Sequence, residues 1–192
     1  TIDAKGGTIS KALIKGFEDK DNKMDVTLFD AETQKMNFML AGKSENIITQ
    51  DLYFTPSDQS DSTVTMTAQA GNGGSLVLAY SLGKDYMLHF SLRANGLQGI
   101  FAPNYQEMDI EWTDLARQQE KGFTIENRYT SVTYKEKLGG TDYLSETSEK
   151  VDEKIDETLD WVAFKNQFFS AALISKDDFR GGSLLTSIPQ QK

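Results

Sequence analysis

The alternating tract from Thr63 to Arg93, cut by two glycine-bearing turns, constrains this chain more than any other stretch. Thr63-Val64-Thr65-Met66-Thr67 alternates polar with apolar residues, Gly71-Asn72-Gly73-Gly74 supplies residues that tolerate positive φ, and Ser75 to Leu82 resumes the extended pattern. A β-hairpin follows. Gly83-Lys84-Asp85 then turns the chain into Tyr86–Arg93, which Asn95-Gly96 closes, so three antiparallel strands form a meander. Period two sets Tyr86, Leu88, Phe90 and Leu92 on a buried face and Met87, His89, Ser91 and Arg93 on a wet one.

The same pattern predicts extended segments at Thr8–Lys15, Val26–Phe29, Lys35–Leu40, Asp51–Thr55, Gln106–Trp112 and Phe123–Tyr134, with a short helix at Asp114–Lys121. Many strands and few helices make the class all-β, as two packed antiparallel sheets. At 192 residues one domain suffices, because β-sandwiches reach this length undivided.

The net charge of −9 argues against a nucleic-acid partner, since phosphate binding needs clustered cations. Cysteine is absent, which removes disulfides, thiol nucleophiles and Cys-ligated metals together. No apolar run reaches the roughly 18 residues a membrane helix needs, and the first residues lack a signal pattern. Thr1-Ile2-Asp3 reads as the end of a strand and Pro189-Gln190-Gln191-Lys192 as a polar tail. The expectation is a soluble piece of a longer protein.

Residues able to carry chemistry are few. His89 is the only histidine, so neither a paired-imidazole metal site nor a two-histidine nucleophile system is available. Its place on the polar face of a strand reads as surface. Asp19-Lys20-Asp21-Asn22-Lys23 starts like a calcium loop, but Lys23 stands where an oxygen ligand belongs and no glycine follows, which makes it a charged turn. Ser57-Asp58-Gln59-Ser60-Asp61-Ser62 suits a surface connection. Gly71–Gly74 precedes a strand and no Lys-Ser/Thr pair closes it, so it is no phosphate loop. Asp109 and Glu111 share a strand face at a spacing a glycosidase could use, yet such pairs are common on surfaces.

Two segments admit two readings each. Ser145–Asp160 holds seven acids against two lysines, and Val151, Ile155 and Leu159 recur every fourth residue; a one-sided helix and a mobile loop leading into a strand both fit. Trp161–Ile174, WVAFKNQFFSAALI, gathers Trp161, Phe164, Phe168 and Phe169 within nine residues. It is either a helix or two strands around a Lys165-Asn166-Gln167 corner, and either core or docking surface. Burying one such side chain is worth roughly 1.5–3 kcal/mol.

Three tracts in register carry a family resemblance. Trp161-Val162-Ala163-Phe164, Gln167-Phe168-Phe169 and Ala171-Ala172-Leu173-Ile174 resemble the end of the large periplasmic domain of the YidC family of bacterial membrane protein insertases. Lys5-Gly6-Gly7-Thr8-Ile9 with Ala12-Leu13 is similar to the Arg/Lys-Gly-Gly motif that opens that domain, where Gly6 and Gly7 permit a turn. Gly71-Asn72, with Leu82, Gly83, Asp85 and Tyr86, resembles its central hairpin. The acidic Ser145–Asp160 connection and the Leu-Asp before Trp161 depart from the proteobacterial pattern and look like the Bacteroidetes type.

The resemblance implies a twisted antiparallel β-supersandwich of the galactose-mutarotase kind, with one or two short helices, forming a single periplasmic domain over residues 1–192 of a larger inner-membrane protein. It favours the strand reading of Trp161–Phe164, with the aromatics as core near the membrane-facing end and Trp161→Ala costing several kcal/mol. It further implies a domain that is not an enzyme, has no cofactor, and contacts Sec translocon accessory subunits and membrane-protein clients. A peptide in a cleft is compatible with it. The fold relatives suggest a sugar-binding or mutarotase-like alternative, but mutarotase chemistry needs histidine with a carboxylate across the sugar ring, and His89 stands alone.

Overall fold

A computed structural model describes residues 1–103 and 107–188. The strand start expected at Gln106 and the polar tail Pro189-Gln190-Gln191-Lys192 lie outside the described residues. In chain order the strands are β1 Ala12–Glu18, β2 Met24–Phe29, β3 Gln34–Leu40, β4 Ile47–Ile48, β5 Thr55–Ser57, β6 Thr63–Gln69, β7 Ser75–Leu82 and β8 Leu88–Asn95. They continue with β9 Met108–Asp114, β10 Ser131–Glu136, β11 Thr141–Tyr143, β12 Lys150–Ile155, β13 Leu159–Lys165, β14 Ser170–Phe179 and β15 Gly182–Ser187. One short helix, α1 Phe123–Asn127, and a 3-10 turn at Thr49–Asp51 complete the set. The all-β expectation is borne out. Among the described residues no helix is long and apolar enough to cross a membrane.

The chain divides into two compact units, the first from Thr1–Lys11 and Gln34–Thr113, the second from Ala12–Thr33 and Asp114–Lys192. In the first unit, β5-β6-β7-β8 form an antiparallel sheet in sequence order and β4-β3-β9 form another. Period two along β7 buries Leu76, Leu78 and Tyr80, and β6 adds Met66 and Ala68. From the facing sheet β3 contributes Met36 and Phe38. Phe90 of β8 joins the layers, its ring 5.8 Å from Phe38 and 6.0 Å from Tyr80.

The meander is as the alternation predicts, except that its third strand starts later. The loop Gly83–Met87 closes when the Gly83 N–H donates to the Met87 carbonyl at 2.7 Å, which leaves Tyr86 in the turn at φ 62° and 79% exposed. Tyr86 therefore does not share the buried face with Leu88, Phe90 and Leu92.

Other boundaries move for similar reasons. Ile9 bridges to Ile2 and the Ser10 N–H donates to the Thr1 carbonyl, so the strand expected at Thr8–Lys15 begins only at Ala12. Asp51–Thr55 is mostly not a strand. The Thr49 hydroxyl accepts from Phe38 N–H at 3.0 Å and donates to Asn37 Oδ1, which also accepts the Gln50 N–H, and this pins the 3-10 turn. The helix expected at Asp114–Lys121 lies instead at Phe123–Asn127, inside a stretch read as strand. Residues 115–120 bond outside any helical ladder: the Leu115 N–H donates to the Thr33 carbonyl, and the Gln119 and Glu120 N–H groups, which a helix would have used internally, donate to the Glu126 carboxylate.

In the second unit, β11-β10-β13-β14 form an antiparallel sheet, β12-β15 a ribbon and β1-β2 a hairpin. Val132, Tyr134, Leu144, Ile155 and Leu159 make its core, with Val162, Phe164, Phe179 and Leu184 packed against them. Neither reading of the acidic stretch describes Lys150–Ile155, which is a strand paired with β15 from Lys150↔Ser187 to Ile155↔Gly182. A spacing of four satisfies period two as well as a helix, and the β15 partner decides between them.

The aromatic tract is a strand, a corner and a strand. A register shift between Leu159 and Trp161 returns Leu159 to the face of Val162 and Phe164. The expectation that its aromatics are core holds only in part: Leu159 and Ala163 are buried and the half-buried Phe164 packs against the core, but Trp161 and Phe169 are only half-buried and Phe168 is 64% exposed.

Candidate functional site

The first unit carries a cleft of about 360 Å³ between its two sheets, walled by Leu40, Leu76, Leu92, Ala94, Phe101 and Met108 with one carboxylate, Glu107. Leu40 ends β3, Leu76 lies on β7, Leu92 and Ala94 belong to β8, and Met108 opens β9, so four strands converge on it. Such a lining can bury apolar side chains. His89 cannot assist chemistry there, because it alternates with Leu88 and Phe90 and so projects from the other face of β8.

β8 is also the last strand of its sheet. The Leu82 N–H donates to the Ser62 carbonyl on the β6 side, and Gly83 bonds to Met87, so the pair Leu82↔Leu88 exchanges no ladder bonds. Counting in twos, Ser81↔His89, Ala79↔Ser91, Val77↔Arg93 and Ser75↔Asn95 are the bonded pairs. The backbone N–H and C=O of Leu88, Phe90, Leu92 and Ala94 therefore face outward. Their side chains are those of the cleft side.

The residues of the glycine motifs hold the first unit's local structure. Gly6 and Gly7 sit at φ 84° and 66°, a conformation that favours glycine, and a Cβ on Gly7 would come within 2.9 Å of the Phe54 ring. The buried Tyr80 hydroxyl donates to the Gly7 carbonyl at 2.8 Å, and burial raises that phenol's pKa. Gly83 lies under Asp85, where a Cβ would meet Oδ1 at 2.6 Å, and Tyr86 is exposed at the same loop. These four residues build turns at separate places and form no common site.

In the second unit, Asn166 organises the corner of the aromatic tract. Its Oδ1 accepts the N–H of Phe168 at 3.2 Å and Phe169 at 2.8 Å, and its amide donates to the buried Glu126 carboxylate at 3.4 Å. Glu126 also accepts the Gln119 and Glu120 N–H groups at 2.8 and 3.0 Å, and the Gln119 side chain donates to the Thr27 carbonyl. The result presents Phe168 to solvent while Phe169 packs edge-on against Phe17, centroids 6.0 Å apart. Trp161 and Phe164 lie on the preceding strand β13, three positions apart and hence on opposite faces. No periodicity argument reaches Glu126, which acts through a contact forty residues away.

Titratable groups do not assemble into a catalytic set. Burial pushes the Asp114 carboxyl up to about 6, with Arg117 pulling it down and Asp30 pushing it up, and its buried Oδ1 has no hydrogen-bond partner. Burial also raises Asp30, but the Glu32 N–H, the Arg117 charge and Thr33 outweigh it and hold that carboxyl below its usual range. Asp30 pairs with Arg117. Asp109 and Glu111 are both exposed on β9. Among the described residues no group of three or more His, Cys, Asp or Glu can hold a metal. Asp19 Oδ1 accepts the N–H of Asp21 and Lys23 at 2.8 and 2.9 Å, the charged turn the sequence predicts.

Comparison with known proteins bears on this site. The family model described as the YidC periplasmic domain matches residues 1–186. "Membrane protein insertase YidC" of Phocaeicola vulgatus is 48% identical over the whole chain, and that of Bacteroides fragilis 39%, the chain covering 31% of each. The Porphyromonas gingivalis protein of the same name is 32% identical over 95% of the chain and 29% of its own length. The chain thus spans about a third of the curated relatives it matches. No solved structure matches it.

Proposed function

Because the chain belongs to the YidC periplasmic domain family, we propose that it serves an inner-membrane insertase by binding rather than by reaction, holding emerging segments of membrane-protein clients in the cleft of its first unit. Residues 1–192 are then one periplasmic domain of a longer membrane protein. The observation that carries the reading is the cleft's lining: seven apolar side chains, Ala41 among them, from separate strands and loops, beside a single carboxylate and no histidine. Such a surface takes up apolar side chains and offers no acid–base pair for sugar chemistry.

A photoreactive side chain at Phe101 of the full-length insertase tests this. Crosslinks to a client arrested during insertion are expected, and their absence from Phe101 and Leu92 alike would overturn the cleft as the client site. Contact with Sec translocon accessory subunits is a second part of the proposal, resting on the family alone. Pull-down by this domain should recover them above a shuffled-surface control; recovery equal to the control removes that part.

A further inference from the structure

We propose that the open edge of β8 takes up an extended peptide with apolar residues at alternate positions, added to the sheet as a further strand whose apolar side chains enter the cleft. This rests on the client-binding reading and specifies how the client is recognised. The outward backbone groups of Leu88, Phe90, Leu92 and Ala94 have no partner among the described residues, and they border the apolar lining. An added strand satisfies those groups, and every second side chain lands on the cleft side.

Several other edges carry features that oppose strand addition. β5, at the opposite edge of the same sheet, is three residues long and contains Pro56, two devices that prevent strand addition. β9 exposes Asp109 and Glu111, and β14 carries Lys176-Asp177-Asp178 just before its last residue, with Asp178 at φ 66°. β8 runs eight residues without proline or bulge, fully in register with β7.

The geometry also selects the peptide. A transmembrane helix satisfies its backbone internally and is apolar all round, so it offers neither free backbone groups nor a two-residue period. The favoured segment is a strand with one apolar face, the pattern of a β-barrel or a half-buried sheet. On the wet face Arg93 has no ion-pair partner among the described residues, which favours an acidic residue at the position opposite.

The test is a titration of this domain with an eight-residue peptide alternating Val or Leu with Thr or Glu, followed by amide exchange. Two control peptides are used, one with the same composition but its apolar residues contiguous, the other with its edge-facing amides N-methylated. The alternating peptide is expected to bind saturably and slow exchange at Leu88, Phe90, Leu92 and Ala94, with each control at least about tenfold weaker. Ala94→Pro removes an outward N–H that no ladder bond uses, and should weaken binding about tenfold with the melting temperature nearly unchanged. Equal affinity for the N-methylated peptide overturns strand addition, whatever the fold of the proline variant. Client crosslinks at Phe101 that persist in Ala94→Pro would also overturn it while leaving client binding intact; no crosslinks in the unaltered protein would remove both.

Discussion

One layer of the first unit's core comes from consecutive strands, whereas the second unit draws its core from strands scattered along the chain. Leu76, Leu78 and Tyr80 reach the first core by simple alternation on one strand, beside Met66 and Ala68 of the preceding one. Val132, Ile155 and Leu159 reach the second from three strands, with a register shift needed to turn Leu159 inward. Local order thus produces an open sandwich with a usable edge, and non-local order produces a closed corner tied by buried polar groups. The two cores differ in what they tolerate.

The largest test of that contrast is Phe38→Ala, which empties a fully buried site between the first unit's sheets and should cost about 3–5 kcal/mol in denaturant unfolding. In the second unit, Leu159→Ala should cost about 2–5 kcal/mol, and the half-exposed Trp161→Ala distinctly less. A greater loss at Trp161 than at Leu159 would return the aromatics to the core and break the comparison.

Asn166→Ala removes the acceptor for two backbone N–H groups and a donor to Glu126, so a loss of roughly 1–3 kcal/mol is expected, with faster amide exchange at Phe168 and Phe169. Exchange unchanged at both would show that the corner holds itself. Smaller still is Asp114. Its folded pKa of about 6 exceeds the unfolded value, so the folded state binds the extra proton and stability falls as pH rises from about 4 through 6. With its partial exposure, Asp114→Asn should stabilise by on the order of 1 kcal/mol at pH 7 and flatten that fall. A melting curve as steep in pH as the parent's would sink the assignment. Phe168→Ser should change stability by no more than about 0.5 kcal/mol, because the ring is already exposed.

Much of the first unit is legible in the residues. The strand Ser75–Leu82 has the limits its alternation predicts, and Gly71–Gly74 is a hairpin turn, closed by the Asn72 side chain accepting the Gly74 N–H. The second unit is less legible for a physical reason: partners lie far away in sequence. Val151, Ile155 and Leu159 carry a spacing that two structures share, and Glu126, in a stretch that reads as strand, shows its role only when Asn166 and Gln119 arrive. The cleft shows the same limit, since nothing local links Leu40, Leu92, Phe101 and Met108.

By itself the sequence determined the all-β class, the meander, the absence of cysteine chemistry and, through three tracts in register, the family. Each rests on local periodicity, on composition or on residue order. Only the tertiary structure decided that Trp161–Ile174 is a strand pair with Phe168 exposed and its other aromatics half-buried, that Lys150–Ile155 of the acidic stretch is a strand, and that β8 borders a cleft with an open edge. Those outcomes depend on which distant backbone satisfies each N–H and C=O, and a side-chain pattern records the faces of a strand without recording its neighbours.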